Sequence, residues 1–145
     1  MMRARLRSLA RTLVGQPYEA AIGAACLSGV VEVVTGRGST ALSTVFPHWA
    51  LHVLGAMAAT GGCLTVGGLV VAGLVLDDVR RVVARRAEQT GQIMVSGVLV
   101  AIGIGAMTFG IDSLIPGAVD FALGVASAVR AADIAQAFRV AGRRP

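Results

Sequence analysis

The strongest constraint on this chain is a stretch of twenty-eight residues, Trp49 to Leu76, that contains no Asp, Glu, Lys or Arg. As a helix it would be about 42 Å long, whereas about 20 residues are enough to cross the hydrocarbon core of a bilayer. A helix of a soluble protein rarely stays apolar on every face over such a length. The stretch therefore predicts a transmembrane helix, and its excess length predicts tilt or projection beyond the bilayer.

The composition extends this prediction to the whole chain. Only 14% of its 145 residues are charged, compared with about 25% in soluble domains. We predict an all-α integral membrane protein with a single membrane domain, 1–145, made of four transmembrane helices in an antiparallel bundle. The spans cover about residues 18–34, 49–76, 92–111 and 118–138, with a basic flank at 1–16, a charged cytoplasmic loop at 77–91 and a basic tail at 139–145.

Two further segments lie outside these spans. Residues 1–16 predict either a short amphipathic helix on the inner membrane surface or a basic flank that orients the first span. Residues 40–46 are mildly apolar and too short to cross, so we expect them to lie along the outer surface.

The arginines predict the orientation, because short cytoplasmic loops of membrane proteins are enriched in positive charge. The chain has thirteen arginines and no lysine. With the N-terminus inside, the inner segments hold eleven of them, the outer segments hold Arg37 alone, and Arg130 lies within the fourth span. Both termini are then cytoplasmic and the protein is a multi-pass protein of the cytoplasmic membrane. Since the arginines lie at helix ends, we expect the lipid bilayer as their partner and no nucleic acid.

Each span carries small residues at helical spacing, which is the pattern that allows membrane helices to pack closely. We therefore expect a tightly packed bundle, and a homo-oligomer or a larger membrane complex. The predicted packing residues are Ala21, Ala25, Gly29, Gly55, Ala59, Gly62, Gly97, Ala101, Gly105, Gly124 and Ala128.

In this orientation a group of ionisable residues falls in or near the outer third of the membrane. Such residues usually face protein or water. Three interpretations are open: a metal or cation site, an ion or proton pathway, and interfacial solvation with interhelical hydrogen bonds. No third ligand accompanies the histidine pair, so we predict no metal site. The group consists of Glu32, His48, His52, Asp112 and Asp120.

Other candidate residues have structural interpretations. Arg130 and Asp133 are three residues apart in the fourth span and predict an ion pair on one helix face, and Glu19 is another possible partner of Arg130. Cys26 and Cys63 each lie within an apolar segment and are expected to act as small hydrophobic residues. No catalytic motif appears, so we predict neither enzymatic activity nor a cofactor.

A looser pattern runs through residues 47–139. Pro47 and Trp49 open the second span, Gly61, Gly62 and Gly68 lie within it, Arg85, Arg86, Glu88 and Gly91 lead into the third, and Arg139 ends the fourth. In this the chain resembles small four-span membrane proteins of actinobacteria and their phages. Some phage proteins of this size and topology are holins, so the resemblance implies a lysis function as one option.

The sequence thus predicts a non-enzymatic membrane component: a scaffold, an accessory subunit of a larger complex, or a phage-encoded envelope protein. The alternative is a holin or a small ion or proton channel that permeabilises the cytoplasmic membrane.

Overall fold

The computed structural model describes residues 22–23, 40–74 and 78–141, and the regular elements among them are all α-helices. They are α1 (Thr40–Val45), α2 (His48–Leu74), α3 (Asp78–Met107) and α4 (Ile111–Ala141). The prediction of an all-helical chain is confirmed for this part of the molecule. Of the predicted first span, only Ile22 and Gly23 belong to the described residues, and both are helical and buried.

Three helices are long and apolar enough to cross a membrane. They are His48–Leu74, Asp78–Met107 and Asp112–Val140, and they correspond to the second, third and fourth predicted spans. The prediction that these three segments form helices long and apolar enough to cross a membrane is confirmed. Helix α1 has six residues and is too short to cross.

The charged segment 77–91 differs from the predicted loop. Residues 78–91 are helical and form the first half of α3. Asp78 pairs with Arg81 one turn later, at 3.5 Å, and buried Ala84 and Glu88 pack this half of the helix against α2. These contacts stabilise a regular helix from Asp78 onward.

The turn between α3 and α4 also lies earlier than the sequence suggested. We expected it around Asp112 to Gly117, but α3 ends at Met107 and α4 begins at Ile111. Gly110 has a φ of 142°, a conformation that only glycine adopts readily. Pro116 lies inside α4, near its start, where few backbone hydrogen bonds precede it.

Helices α2 and α3 cross at very short range through glycines. A Cβ atom built on Gly68 would lie 2.6 Å from the carbonyl oxygen of Ala84, and one built on Gly91 would lie 2.6 Å from the carbonyl oxygen of Gly61. Residue numbers along the two helices therefore run in opposite directions. Only residues without a side chain permit backbones to approach this closely.

Helices α3 and α4 make a second antiparallel contact of the same kind. A Cβ atom on Gly103 would lie 2.6 Å from the backbone nitrogen of Phe121, and one on Gly117 would lie 2.8 Å from the carbonyl oxygen of Gly103. Further along, Gly124 faces Ser96 and Val100 in the same way. Helix α3 is thus the central helix of the described region, with α2 and α4 both packed on it.

The distribution of large side chains differs from that in a soluble protein. Of the six largest fully buried side chains, four are polar, and two, Leu69 and Val95, are aliphatic. Large aliphatic side chains instead point outward on α2, α3 and α4, for example Val53, Ile104 and Ile115. An apolar exterior of this extent is unfavourable in water and favourable in lipid, so the described helices have the surface of a membrane-embedded protein.

Candidate functional site

A fully buried carboxylate, Glu88, lies at the centre of the charged contacts of α3. Nη1 of Arg85, three residues earlier, donates a hydrogen bond to Oε2 of Glu88 at 2.6 Å. Nη2 of Arg130, on α4, lies 3.6 Å from Oε1 of the same carboxylate. Two partly exposed guanidinium groups therefore flank one carboxylate that has no access to solvent.

Three further polar side chains are fully buried: Thr65 on α2, Gln92 on α3 and Ser127 on α4. Within the described residues, Oγ1 of Thr65, both amide atoms of Gln92 and Oγ of Ser127 have no hydrogen-bond partner. We call these three residues, together with Arg85, Glu88 and Arg130, the buried polar cluster.

The glycine contacts determine where the members of the cluster meet. Thr65 lies between Gly61 and Gly68 on the face of α2 that contacts α3, and its Oγ1 would lie only 2.5 Å from a Cβ atom on Gly91. This places the threonine hydroxyl between Glu88 and Gln92 along the axis of α3.

The register of α4 on α3 brings in the remaining members. A Cβ atom on Gly124 would lie 2.8 Å from Cγ2 of Val100 and 3.1 Å from the carbonyl oxygen of Ser96, and Nη2 of Arg130 lies 3.6 Å from Oε1 of Glu88. Ser127 lies between Gly124 and Arg130 on α4. It therefore lies beside the stretch of α3 between Glu88 and Val100, which contains Gln92.

One more polar link ties α3 to α4 on the side of the cluster nearer the start of α3. The guanidinium carbon of Arg86 lies 4.4 Å from the centre of the Phe138 ring, within the range of a cation–π interaction. The end of α4 is thus attached to the first half of α3 by an aromatic contact in addition to the ion pair.

The cluster has a defined chemical character. With Glu88 ionised, two arginines and one carboxylate carry a net charge of +1. A buried polar group without a hydrogen bond is destabilised by about 1–3 kcal/mol, so the amide of Gln92 and the two hydroxyls favour binding of water or of a small polar solute between the helices. The arrangement supports polar binding and helix positioning.

The predicted outer group is only partly within the described residues, because Glu32 lies outside them. His48 and His52 are exposed at the start of α2, Asp112 is exposed at the start of α4, and Asp120 is half-buried two turns further on. The antiparallel packing puts these four residues toward the same end of the molecule. Across the described part of the chain, no group of three or more His, Cys, Asp or Glu side chains is arranged to hold a metal ion.

The ionic partner of Arg130 differs from the one that the spacing suggested. Within the described residues, Arg130 pairs with Glu88, on the preceding helix, whereas Asp133 is exposed. Glu19 and Cys26 lie outside the described residues. Cys63 is a free, exposed thiol on α2, so among the described residues it faces outward and not toward the helix contacts.

The predicted packing residues fall into three groups. Gly124, Gly105 and Gly62 are buried, and a Cβ on Gly105 would lie 2.6 Å from the ring of Phe46. Gly97 and Ala128 are exposed, and nothing lies within 4 Å of the Cβ position of Gly97. The half-buried members are Gly55, Ala59 and Ala101. The members that lie outside the described residues are Ala21, Ala25 and Gly29.

The sequence reasoning missed the buried polar cluster, although one signal pointed to it. Glu88 and Gln92 are four residues apart, and Ala84 and Gly91 share their helix face. A polar pair on the face that also carries the small residues is the pattern expected of a buried polar contact between membrane helices.

Comparisons of the chain with protein-family models, with characterised proteins and with solved structures give no match. Evidence for function therefore comes from the residues and contacts of the chain itself.

Proposed function

We propose that this protein is a non-enzymatic component of the cytoplasmic membrane that assembles with other membrane helices, as a scaffold or as an accessory subunit. The observation that carries the proposal is the outer surface of α2, α3 and α4. Large aliphatic side chains are exposed on all three helices, while four polar or charged side chains, Glu88 among them, are buried. Such a unit presents to its surroundings a surface suited to lipid and to other transmembrane helices.

The ion pairs support the same function. Removal of one partner of a buried ion pair is strongly destabilising, and buried polar contacts specify register more reliably than apolar ones do. Glu88 joins α3 to α4 through Arg130. The three helices therefore form one unit with a defined register, which suits a part that is built into a larger assembly.

We further propose four spans with both termini in the cytoplasm. The support is the arginine distribution, eleven in the inner segments against Arg37 in the outer ones. Reporter fusions at the C-terminus test this. A green fluorescent protein fusion should fluoresce and an alkaline phosphatase fusion should be inactive; the opposite pair of results would overturn the orientation.

Assembly is tested by photo-crosslinking in intact membranes. A benzophenone side chain placed at the outward-facing positions of Ile115 or Val129 should give discrete adducts, with a second copy or with another membrane protein. The same probe at buried Val95 is the matched control and should give none. Light scattering of the complex in mild detergent should show a defined oligomer or a stoichiometric partner, and a clean monomer without adducts would overturn the proposal.

A second candidate function, a holin or a small ion or proton channel, is favoured by the unpartnered polar atoms of Thr65, Gln92 and Ser127. Polar groups inside a helix bundle commonly mark water or ion pathways. Inducible expression that collapses the membrane potential, and a Gln92→Leu variant that does not, would support this function. Sustained growth with a full membrane potential at high expression would exclude it and leave the scaffold.

A further inference from the structure

A cleft of about 380 Å³ opens between α2 and α3, toward the ends that residues 75–77 connect. One wall belongs to α2 and the other to the first half of α3. Its lining is aliphatic except for one arginine, Arg80. The residues that line it are Leu64, Gly67, Gly68, Val71, Val79, Arg80, Val83, Ala84 and Ala87.

Two adjacent glycines create the cleft. Gly68 faces α3 and brings the backbones into contact, with its Cβ position 2.6 Å from the carbonyl oxygen of Ala84. Gly67 points to the side, and nothing in the described chain lies within 4 Å of its Cβ position. The helices therefore touch along Gly68 and leave a channel beside it along Gly67.

The walls of the cleft continue into an apolar outer surface. Val71, Val79 and Val83 are 43%, 70% and 64% exposed. In water these valines would be unfavourably placed, but beside the acyl chains of a bilayer they are not. The cleft is thus open to whatever surrounds the helices and matches an apolar, flexible occupant.

The depth of the cleft places it in one leaflet. If Trp49 marks the outer interface, Leu64 and Val71 lie about 22 and 33 Å further along α2 at 1.5 Å per residue. The hydrocarbon core is about 30 Å thick. The cleft therefore begins in the inner half of the core and ends at the inner headgroups, where Arg80 lies.

The charge at this end of α3 selects among lipids. Its first nine residues contain four arginines and one aspartate, a net charge of +3. Guanidinium groups bind phosphate oxygens with strong, charge-assisted hydrogen bonds, and the cytoplasmic leaflet supplies anionic lipids. An apolar channel that ends in this basic segment is complementary to a lipid with an acyl chain and an anionic headgroup.

We propose that the cleft binds one anionic phospholipid, with an acyl chain along Gly67 and the phosphate at Arg80. This rests on the proposed membrane location and orientation, because the orientation puts the cleft in the cytoplasmic leaflet. The site is separate from the buried polar cluster, so the bound lipid would act as a structural ligand of the α2–α3 contact.

Native mass spectrometry of the full-length protein tests the proposal, with phosphatidylglycerol and phosphatidylcholine of identical acyl chains as probes. The wild type should retain phosphatidylglycerol about tenfold better than phosphatidylcholine, because both lipids carry the phosphate but the choline cation of phosphatidylcholine is repelled by the basic segment. Arg80→Gln should remove this preference and leave weak binding of both lipids.

Gly67→Leu places a branched side chain in the cleft from a Cβ position that has no atom within 4 Å, and it should abolish retention of either lipid. Gly97→Leu is the matched control, because Gly97 is also a helical glycine with open space around its Cβ position, yet it does not line the cleft. Val83→Phe narrows the cleft from the other wall and provides a second variant if Gly67→Leu does not fold.

Three outcomes would overturn the proposal. Retention of phosphatidylglycerol by both cleft-filling variants at the wild-type level would show that lipid binds elsewhere. Equal retention of the two lipids by the wild type would exclude recognition of the headgroup. If the Gly67→Leu substitution abolished a protein dimer and left lipid retention unchanged, the cleft would be assigned to a second copy of the chain. If the membrane location itself were wrong, the wild-type protein would appear in the soluble fraction of lysed cells.

Discussion

Replacing Gly91 by alanine should weaken the packing of α2 on α3. The added methyl group would lie 2.5 Å from Oγ1 of Thr65 and 2.6 Å from both the backbone nitrogen of Thr65 and the carbonyl oxygen of Gly61. Ordinary van der Waals contact begins at 3.4 Å, so the helices must separate locally by about 0.8 Å (3.4 − 2.6). A gap of this size forfeits a quarter to a half of the dispersion energy of the contacts that it opens.

The size of the effect is best measured against a matched variant. Gly97→Ala meets no atom within 4 Å, yet it shares the gain of about 1 kcal/mol that alanine brings to a helix. Because both variants have this gain, the difference between their free energies of unfolding measures the steric cost at Gly91. Overpacking typically costs about 1–3 kcal/mol, and lipid offers little hydrophobic drive to hold the helices together. We therefore expect Gly91→Ala to be less stable than Gly97→Ala by about this amount.

The assay is unfolding of the two purified variants in bicelles, with the wild type alongside. Thr65→Ala in the Gly91→Ala chain should recover little stability, because two of the three close contacts involve backbone atoms of α2. Equal stabilities of Gly91→Ala and Gly97→Ala would refute the assignment of this face to the α2–α3 contact.

Further predictions concern the other helix contacts. Arg130→Ala should reduce the free energy of unfolding by about 3 kcal/mol. This is the low end for a broken buried ion pair, because Arg130 is partly exposed. Adding Glu88→Gln should restore part of the lost stability, and a double variant no more stable than Arg130→Ala would contradict the pairing. Arg86→Ala and Phe138→Leu should each cost about 0.5–1 kcal/mol, and the double variant should cost no more than either alone in a double-mutant cycle. Gly105→Leu should lower the melting temperature in detergent, since its side chain meets the Phe46 ring; Phe46→Ala should reverse this, and a Gly105→Leu protein as stable as the wild type would exclude the contact.

The helical segments could be located from the sequence wherever hydropathy alone decides them, although not all of their ends could. The second predicted span, 49–76, compares with α2 at His48–Leu74, and the fourth, 118–138, lies inside α4. Hydropathy did not predict the first half of α3, because residues 78–91 form a helix although many of them are charged. Their helix depends on contacts with α2, which a reading of local composition does not contain.

The buried polar cluster could not be assembled from the sequence for a related reason. Asp133 is close to Arg130 in the sequence, whereas Glu88 is close to it only in the folded structure. Spacing along α4 favours Asp133, but the antiparallel register of α3 and α4 brings Glu88 to within 3.6 Å. That register depends on glycines at positions 103, 117 and 124, whose partners lie on the other helix.

The sequence by itself determined the membrane character of the chain. The free energy of transfer into lipid is a sum over the residues of one segment, so it does not depend on the neighbouring helices. The charge-free stretch from Trp49 to Leu76 is sufficient for it. Only the tertiary structure decided which side of each helix makes contact. Chains rich in glycine and alanine carry several rows of small residues on every helix, so Gly97 and Gly103 look alike in the sequence. Their difference arises from the relative rotation of two helices, which is a property of the packed pair and of neither helix alone.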